Sequence, residues 1–129
     1  MSAVRLFVYG SLKRDAGGTS HPLLAKATYL GATTVCGLLY QVDWYPGLVL
    51  SERGVVHGEL YEFPAAQAGA MLMALDDYEG GEYPRRKARA SGDGFDGVDT
   101  WVYVYVGPTH TLKTIASGDF DTPVHPERP

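Results

Sequence analysis

The stretch Pro64-Ala65-Ala66-Gln67-Ala68-Gly69-Ala70-Met71-Leu72-Met73-Ala74-Leu75-Asp76-Asp77-Tyr78-Glu79-Gly80-Gly81 is the one segment of this 129-residue chain that reads as a convincing helix. Proline suits a first helical turn, and glycine after the last turn can take a left-handed cap, so the spacing predicts a helix from Pro64 to Glu79 capped by Gly80. Ala68, Met71, Leu72 and Leu75 recur at three- and four-residue steps and form its apolar stripe. Glu79 lies four residues past Leu75 and seven past Leu72, so the stripe that buries these groups carries a carboxylate inward. Desolvation, the negative end of the helix dipole and Asp76 three residues earlier would each raise its proton affinity. Such a shift suits proton transfer near neutral pH. The spacing is equally compatible with a helix that stops one turn early and leaves Glu79 in water.

Outside this segment strands dominate. Val4 to Tyr9 is almost wholly apolar, as for a central strand buried on both faces. Gly10 to Pro22 is rich in Gly, Ser and Asp and reads as a loop, with a short helical turn at His21-Pro22-Leu23-Leu24. Ala27–Thr34 and Cys36–Asp43 read as extended segments broken at Gly31 and Gly37, followed by a turn around Tyr45-Pro46-Gly47. Gly54–Glu62 alternates, with Val56, Gly58 and Leu60 on one side and Val55, His57, Glu59 and Tyr61 on the other. Trp101, Tyr103 and Tyr105 alternate with Val102, Val104 and Val106. These patterns suit barrel walls, so the expected fold is α+β: a small mixed, barrel-like sheet with one main helix.

Composition narrows the function. The chain is long enough for one domain with its own core, and a domain over residues 1–123 with a Pro-rich flexible tail over 124–129 is expected. The single cysteine, Cys36, excludes an internal disulfide or a cysteine zinc site and reads as a small core residue. No apolar run approaches a membrane span, and no signal-peptide pattern opens the sequence, so a cytoplasmic location is expected. A formal charge of -4 argues against nucleic acid as a partner. Arg85-Arg86-Lys87-Arg89 alternates along a strand and reads as a solvated face. His21, His57, His110 and His125 lack metal-ligand spacing, so no metal is expected.

The segment Tyr9-Gly10-Ser11-Leu12 has two readings. Glycine after a buried strand can simply permit a turn. Alternatively, Gly10 lets the backbone approach a ligand while successive N–H groups hold a carboxylate.

Phe7-Val8-Tyr9-Gly10-Ser11-Leu12-Lys13-Arg14, Tyr45-Pro46-Gly47-Leu48, Val56-His57-Gly58-Glu59-Leu60-Tyr61, Leu75-Asp76-Asp77-Tyr78-Glu79-Gly80 with Tyr83 and Arg85, and Ser117-Gly118-Asp119-Phe120 occur in an order and spacing that resemble the gamma-glutamylcyclotransferase-like family. That family also holds the AIG2-like proteins and the gamma-glutamylamine cyclotransferases. The resemblance spans Val4 to Phe120, with Phe120 where the family's closing motif has tryptophan. It implies a barrel-like α+β fold with a cavity beside the first strand, and a reaction in which the α-amine of a gamma-glutamyl amide attacks its own γ-carbonyl to release 5-oxoproline and an amine.

By the same resemblance Tyr9, Gly10, Ser11 and Leu12 bind the substrate's α-carboxylate, and Glu79 is the acid/base. Tyr83 and Tyr105 lie near the pocket, although Trp101, Tyr103 and Tyr105 read equally as a packed aromatic row. No cofactor is required. Specificity for the leaving amine is expected from the Asp43–Leu50 turn, including Pro46 and Gly47, and from Gly81–Arg85. Glu82 is a second carboxylate near the site, beyond the helix cap and off the stripe. The expected partner is a small gamma-glutamyl molecule, and the protein is expected to be a monomer or weak homodimer. The competing reading is a carboxylate-binding module without chemistry.

Overall fold

The computed structural model describes residues 3–10, 12–13, 21–42, 45–81, 83–92 and 95–119. Ser11, Asp43, Glu82, Phe120 and the expected tail over 124–129 lie outside the described residues.

In chain order the elements are β1 (Val4–Val8), a 3-10 turn (Pro22–Leu24), β2 (Thr28–Gln41), β3 (Pro46–Phe63), α1 (Ala65–Glu79), β4 (Arg85–Gly92), β5 (Phe95–Tyr103) and β6 (Lys113–Thr114). The strands are ordered β3-β1-β5-β4-β2, and β2 pairs back onto β3, so five strands close into a barrel with β6 added beside β2. Parallel pairing occurs between β1 and β5, where Leu6 faces Trp101 and Phe7 faces Val102. The other pairings are antiparallel. This is the mixed α+β barrel that the strand patterns imply.

Period-two alternation sorts the side chains into two cores. Phe7, Val35, Leu48, Val56, Ala90 and Val102 come from all five barrel strands and fill one cluster. Leu6, Val8, Tyr61, Phe63 and Tyr103 point the other way and pack with Leu72 and Leu75 of α1. β1 is apolar throughout because it feeds both. Gly58 is needed at the closure, since a Cβ there would stand 2.6 Å from Phe7 Cζ and collide with the Val8 carbonyl.

Several expectations change. Gly31 and Gly37 do not break the chain into two segments; β2 is continuous, with register shifts at Tyr29/Gly31 and Cys36/Gly37. β3 begins at Pro46, well before Gly54. Cys36 is exposed, because Val35 and Gly37 on either side of it turn inward. Gly80 has φ 84° and ψ 179°, an extended conformation essentially reserved for glycine, rather than the left-handed helical cap.

Candidate active site

Where β1 ends, Tyr9 and Gly10 lead into a turn in which the Lys13 N–H donates to the Gly10 carbonyl at 3.0 Å. A cavity of about 460 Å³ opens there, between the two cores. Phe7, Val8, Tyr9, Gly10 and Leu12 supply one side of its lining. What glycine provides at position 10 is room: a Cβ would lie 3.0 Å from both Cδ and Cγ of Pro46, itself a lining residue.

Tyr45 and Pro46, at the start of β3, supply a second side. The Tyr83 hydroxyl donates to the Pro46 carbonyl at 3.1 Å and ties this wall to the segment after α1. Gly47 and Tyr105 stand one layer behind the lining. A Cβ on Gly47 would be 2.6 Å from the Tyr105 Cβ, and Tyr105 packs its ring 5.6 Å from that of Tyr83 while donating its hydroxyl to the Pro108 carbonyl.

The end of α1 supplies the remaining lining through Tyr78, Glu79, Gly80 and Gly81, with Tyr103 from β5. Burial raises the Glu79 carboxyl from its ordinary 4.5 to about 7. The helix runs through Glu79, so the alternative in which it stops a turn early is excluded. Of the three expected causes of the shift, desolvation alone carries it. Asp76 is already paired: Arg85 Nε and Nη2 donate to its two oxygens at 2.6 and 3.1 Å, and its carboxyl is held below the ordinary range mainly by that contact.

Burial holds the Tyr9 phenol well above its ordinary value, and burial followed by the Asp76 hydrogen bond does the same for Tyr103. Both therefore remain protonated near neutral pH, leaving Glu79 as the carboxyl in the cavity poised to exchange a proton there.

Tyr103 is the lining residue that sequence reasoning passed over in favour of Tyr105. Alternation places both on one face, and nothing local reveals which of the two meets the helix end. Arg85 and Lys87 stack against Trp101, at 4.8 and 5.4 Å from its ring centre, so the basic run packs on the sheet besides meeting solvent. Among the described residues no three His, Cys, Asp or Glu side chains gather as a metal site. Nor is any helix among them long and apolar enough to cross a membrane.

A closed five-strand mixed barrel, one covering helix and a cavity with a half-buried glutamate beside the end of the first strand define a small α+β domain of the AIG2-like type. The chain belongs to the family described as gamma-glutamyl cyclotransferase, AIG2-like, whose pattern matches residues 6–122. It is 38% identical over 120 residues to the gamma-glutamylcyclotransferase family protein YtfP of Escherichia coli strain K12, covering 91% of this chain and 96% of that protein. The solution structure of E. coli YtfP superposes with a TM-score of 0.62 at 36% identity, covering 91% of this chain and 96% of that one. A mouse AIG2-like protein shares the fold, with a TM-score of 0.70 at 23% identity over 94% of this chain and 90% of that one.

Proposed function

We propose that the protein is a gamma-glutamyl cyclotransferase that converts a gamma-glutamyl amide into 5-oxoproline and a free amine. The observation that carries this reading is Glu79, a carboxyl lining the cavity with its proton affinity raised to about 7. The turn at Tyr9, Gly10, Ser11 and Leu12 holds the substrate's α-carboxylate through backbone N–H groups and polarises the γ-carbonyl. The α-nitrogen attacks the γ-carbon, closing a five-membered ring. Glu79 takes a proton from that nitrogen and returns it to the departing nitrogen as the original amide bond breaks. One carboxyl can serve both steps, because both nitrogens meet at the same carbon and a pKa near working pH favours acceptance and donation alike.

Since the attack is intramolecular, the site's main task is to hold the substrate in its cyclising conformer. Effective molarities of ~10⁵–10⁸ M are within reach of well-oriented intramolecular reactions. Pro46, Tyr45, Gly81 and Tyr83 would form the wall facing the leaving amine.

The test is 5-oxoproline release by purified protein from gamma-glutamyl dipeptides, gamma-glutamyl-ε-lysine and simple gamma-glutamyl amines. Release from one or more of these, lost in Glu79→Gln, is expected. Binding without release across the panel would replace this reading with that of a carboxylate-binding module.

A further inference from the structure

Glu79 sits in the last turn of α1, beyond Leu75, the last helix residue fully sunk in the core. A helix end that leaves the core is prone to fray, because its terminal carbonyls lack helical partners. Here the sheet reaches across to hold it. Arg85, at the start of β4, donates from Nε to Asp76 Oδ1 at 2.6 Å and from Nη2 to Oδ2 at 3.1 Å. The Tyr103 hydroxyl donates to the same Oδ1 at 2.7 Å. Arg85 and Tyr103 are direct partners in the β4–β5 ladder, and the guanidinium rests on Trp101, so the donors are fixed before they meet the helix. The Asp76 carbonyl in turn accepts the Gly80 N–H at 3.0 Å. The clamped residue thus closes the turn that contains Glu79.

We infer that Arg85, acting through Asp76, is a positioning residue that keeps Glu79 half-buried against the cavity. Its planar fork matches the carboxylate at two points, which a lysine cannot do. The clamp works by place rather than by charge, because the raised proton affinity of Glu79 has burial as its cause. The titratable groups that share the cavity lining with Glu79 are the phenols Tyr9, just past β1, Tyr45, just before β3, Tyr78 on α1, Tyr83, just before β4, and Tyr103 of β5. Asp76 and Asp77 lie on its own helix, Arg85 on β4, and His21 packs its ring on Tyr78. Glu82 lies outside the described residues and is carried unchanged through every variant below. The consequence for chemistry rests on the proposed cyclotransferase reading; the consequence for Glu79 itself does not.

The experiment is NMR titration of the Glu79 carboxyl in the whole protein, assigned by its loss in Glu79→Gln. It is run on the wild type, Arg85→Met, Asp76→Asn, the double variant and Arg85→Lys, with turnover measured on each. Positioning requires that Arg85→Met and Asp76→Asn both lower the midpoint, from about 7 towards the ordinary 4.5. The double variant should go no lower than the singles, and Arg85→Lys should fall between. Turnover should drop ~10–100-fold, mainly in kcat, as for a displaced catalytic group.

Shifts in opposite directions, up for Arg85→Met and down for Asp76→Asn, would mean charges acting through space and would overturn the inference. So would unchanged midpoints accompanied only by a lower Tm. Shifts as expected in a protein inactive on every substrate would overturn the cyclotransferase reading alone. Turnover with unmoved midpoints would overturn the clamp alone.

Discussion

Tyr9 and Tyr103 are joined across the barrel wall: the Tyr9 hydroxyl donates to the Tyr103 carbonyl at 2.7 Å and also accepts the Leu48 N–H at 3.1 Å. One buried phenol thereby links β1, β5 and β3 beside the cavity, with both its donor and its acceptor in use. Removing it leaves a buried N–H and a carbonyl short of a partner, at a cost of about 1–3 kcal/mol. Tyr9→Phe should lose stability of that size in chemical denaturation, while retaining far more turnover than Glu79→Gln. A stable but inactive Tyr9→Phe would move Tyr9 from the wall into the chemistry.

Glu79 gives the protein a distinctive pH dependence. Its folded pKa of about 7 lies above the ordinary 4.5, so the folded state binds the proton more tightly than the unfolded chain. The stability this contributes is fully present below pH 4.5 and is lost as pH rises through 7. At ~1.4 kcal/mol for each tenfold change in proton affinity, the loss amounts to about 3 kcal/mol. Glu79→Gln should therefore be more stable than the wild type at pH 8, and the difference should shrink towards pH 5. Denaturation midpoints across that range measure it; parallel curves would show that Glu79 titrates normally. In the proposed mechanism turnover should rise with pH through the same region, because Glu79 acting as the base must be ionised to accept the proton.

The position of Glu79 was legible because a helical stripe is a short-range pattern: four residues past Leu75 means the same face whatever lies around it. Strand order was not legible, and neither was the partner of Asp76, which depends on Arg85 folding back from β4. Spacing alone made Asp76 a second negative charge acting on Glu79, whereas in the fold it is the anchor of a clamp. Cys36 departs from its expected core position for a related reason. A small apolar residue between Val35 and Gly37 looks like core, but the phase of the strand decides which neighbour turns in, and here both flanking residues do. Tyr103 and Tyr105 share a face two residues apart, and only the pairing of Tyr103 with Arg85 distinguishes the one that reaches the cavity.

Gly10 links the turn to the opposite wall. A Cβ there would already be 3.0 Å from the Pro46 ring, tighter than ordinary packing allows, so a larger side chain must push the turn and Pro46 apart. Gly10→Val should raise KM about tenfold or more, a loss of ~1.4 kcal/mol in binding for each tenfold. Calorimetric binding of a gamma-glutamyl compound to the inactive Glu79→Gln background, with and without the valine, isolates the effect. Equal affinities would end the case for the turn as the carboxylate site.

Gly47 acts on the cavity from outside it. Its Cβ position lies 2.6 Å from the Tyr105 Cβ and 2.8 Å from Val42 Cγ2, so even alanine forces Tyr105 or the start of β3 to shift. Tyr105 packs on Tyr83, and Tyr83 holds the Pro46 carbonyl, so that shift is transmitted to the Tyr45–Pro46 side of the cavity, the wall proposed to face the leaving amine. Gly47→Ala should cost about 1–3 kcal/mol of stability. It should also change the ranking of substrates that differ only in their leaving amine, while leaving the titration of Glu79 in place. If stability fell and the ranking did not change, Gly47 would be a packing residue alone, and leaving-amine selection would rest with Tyr45, Pro46 and Gly81.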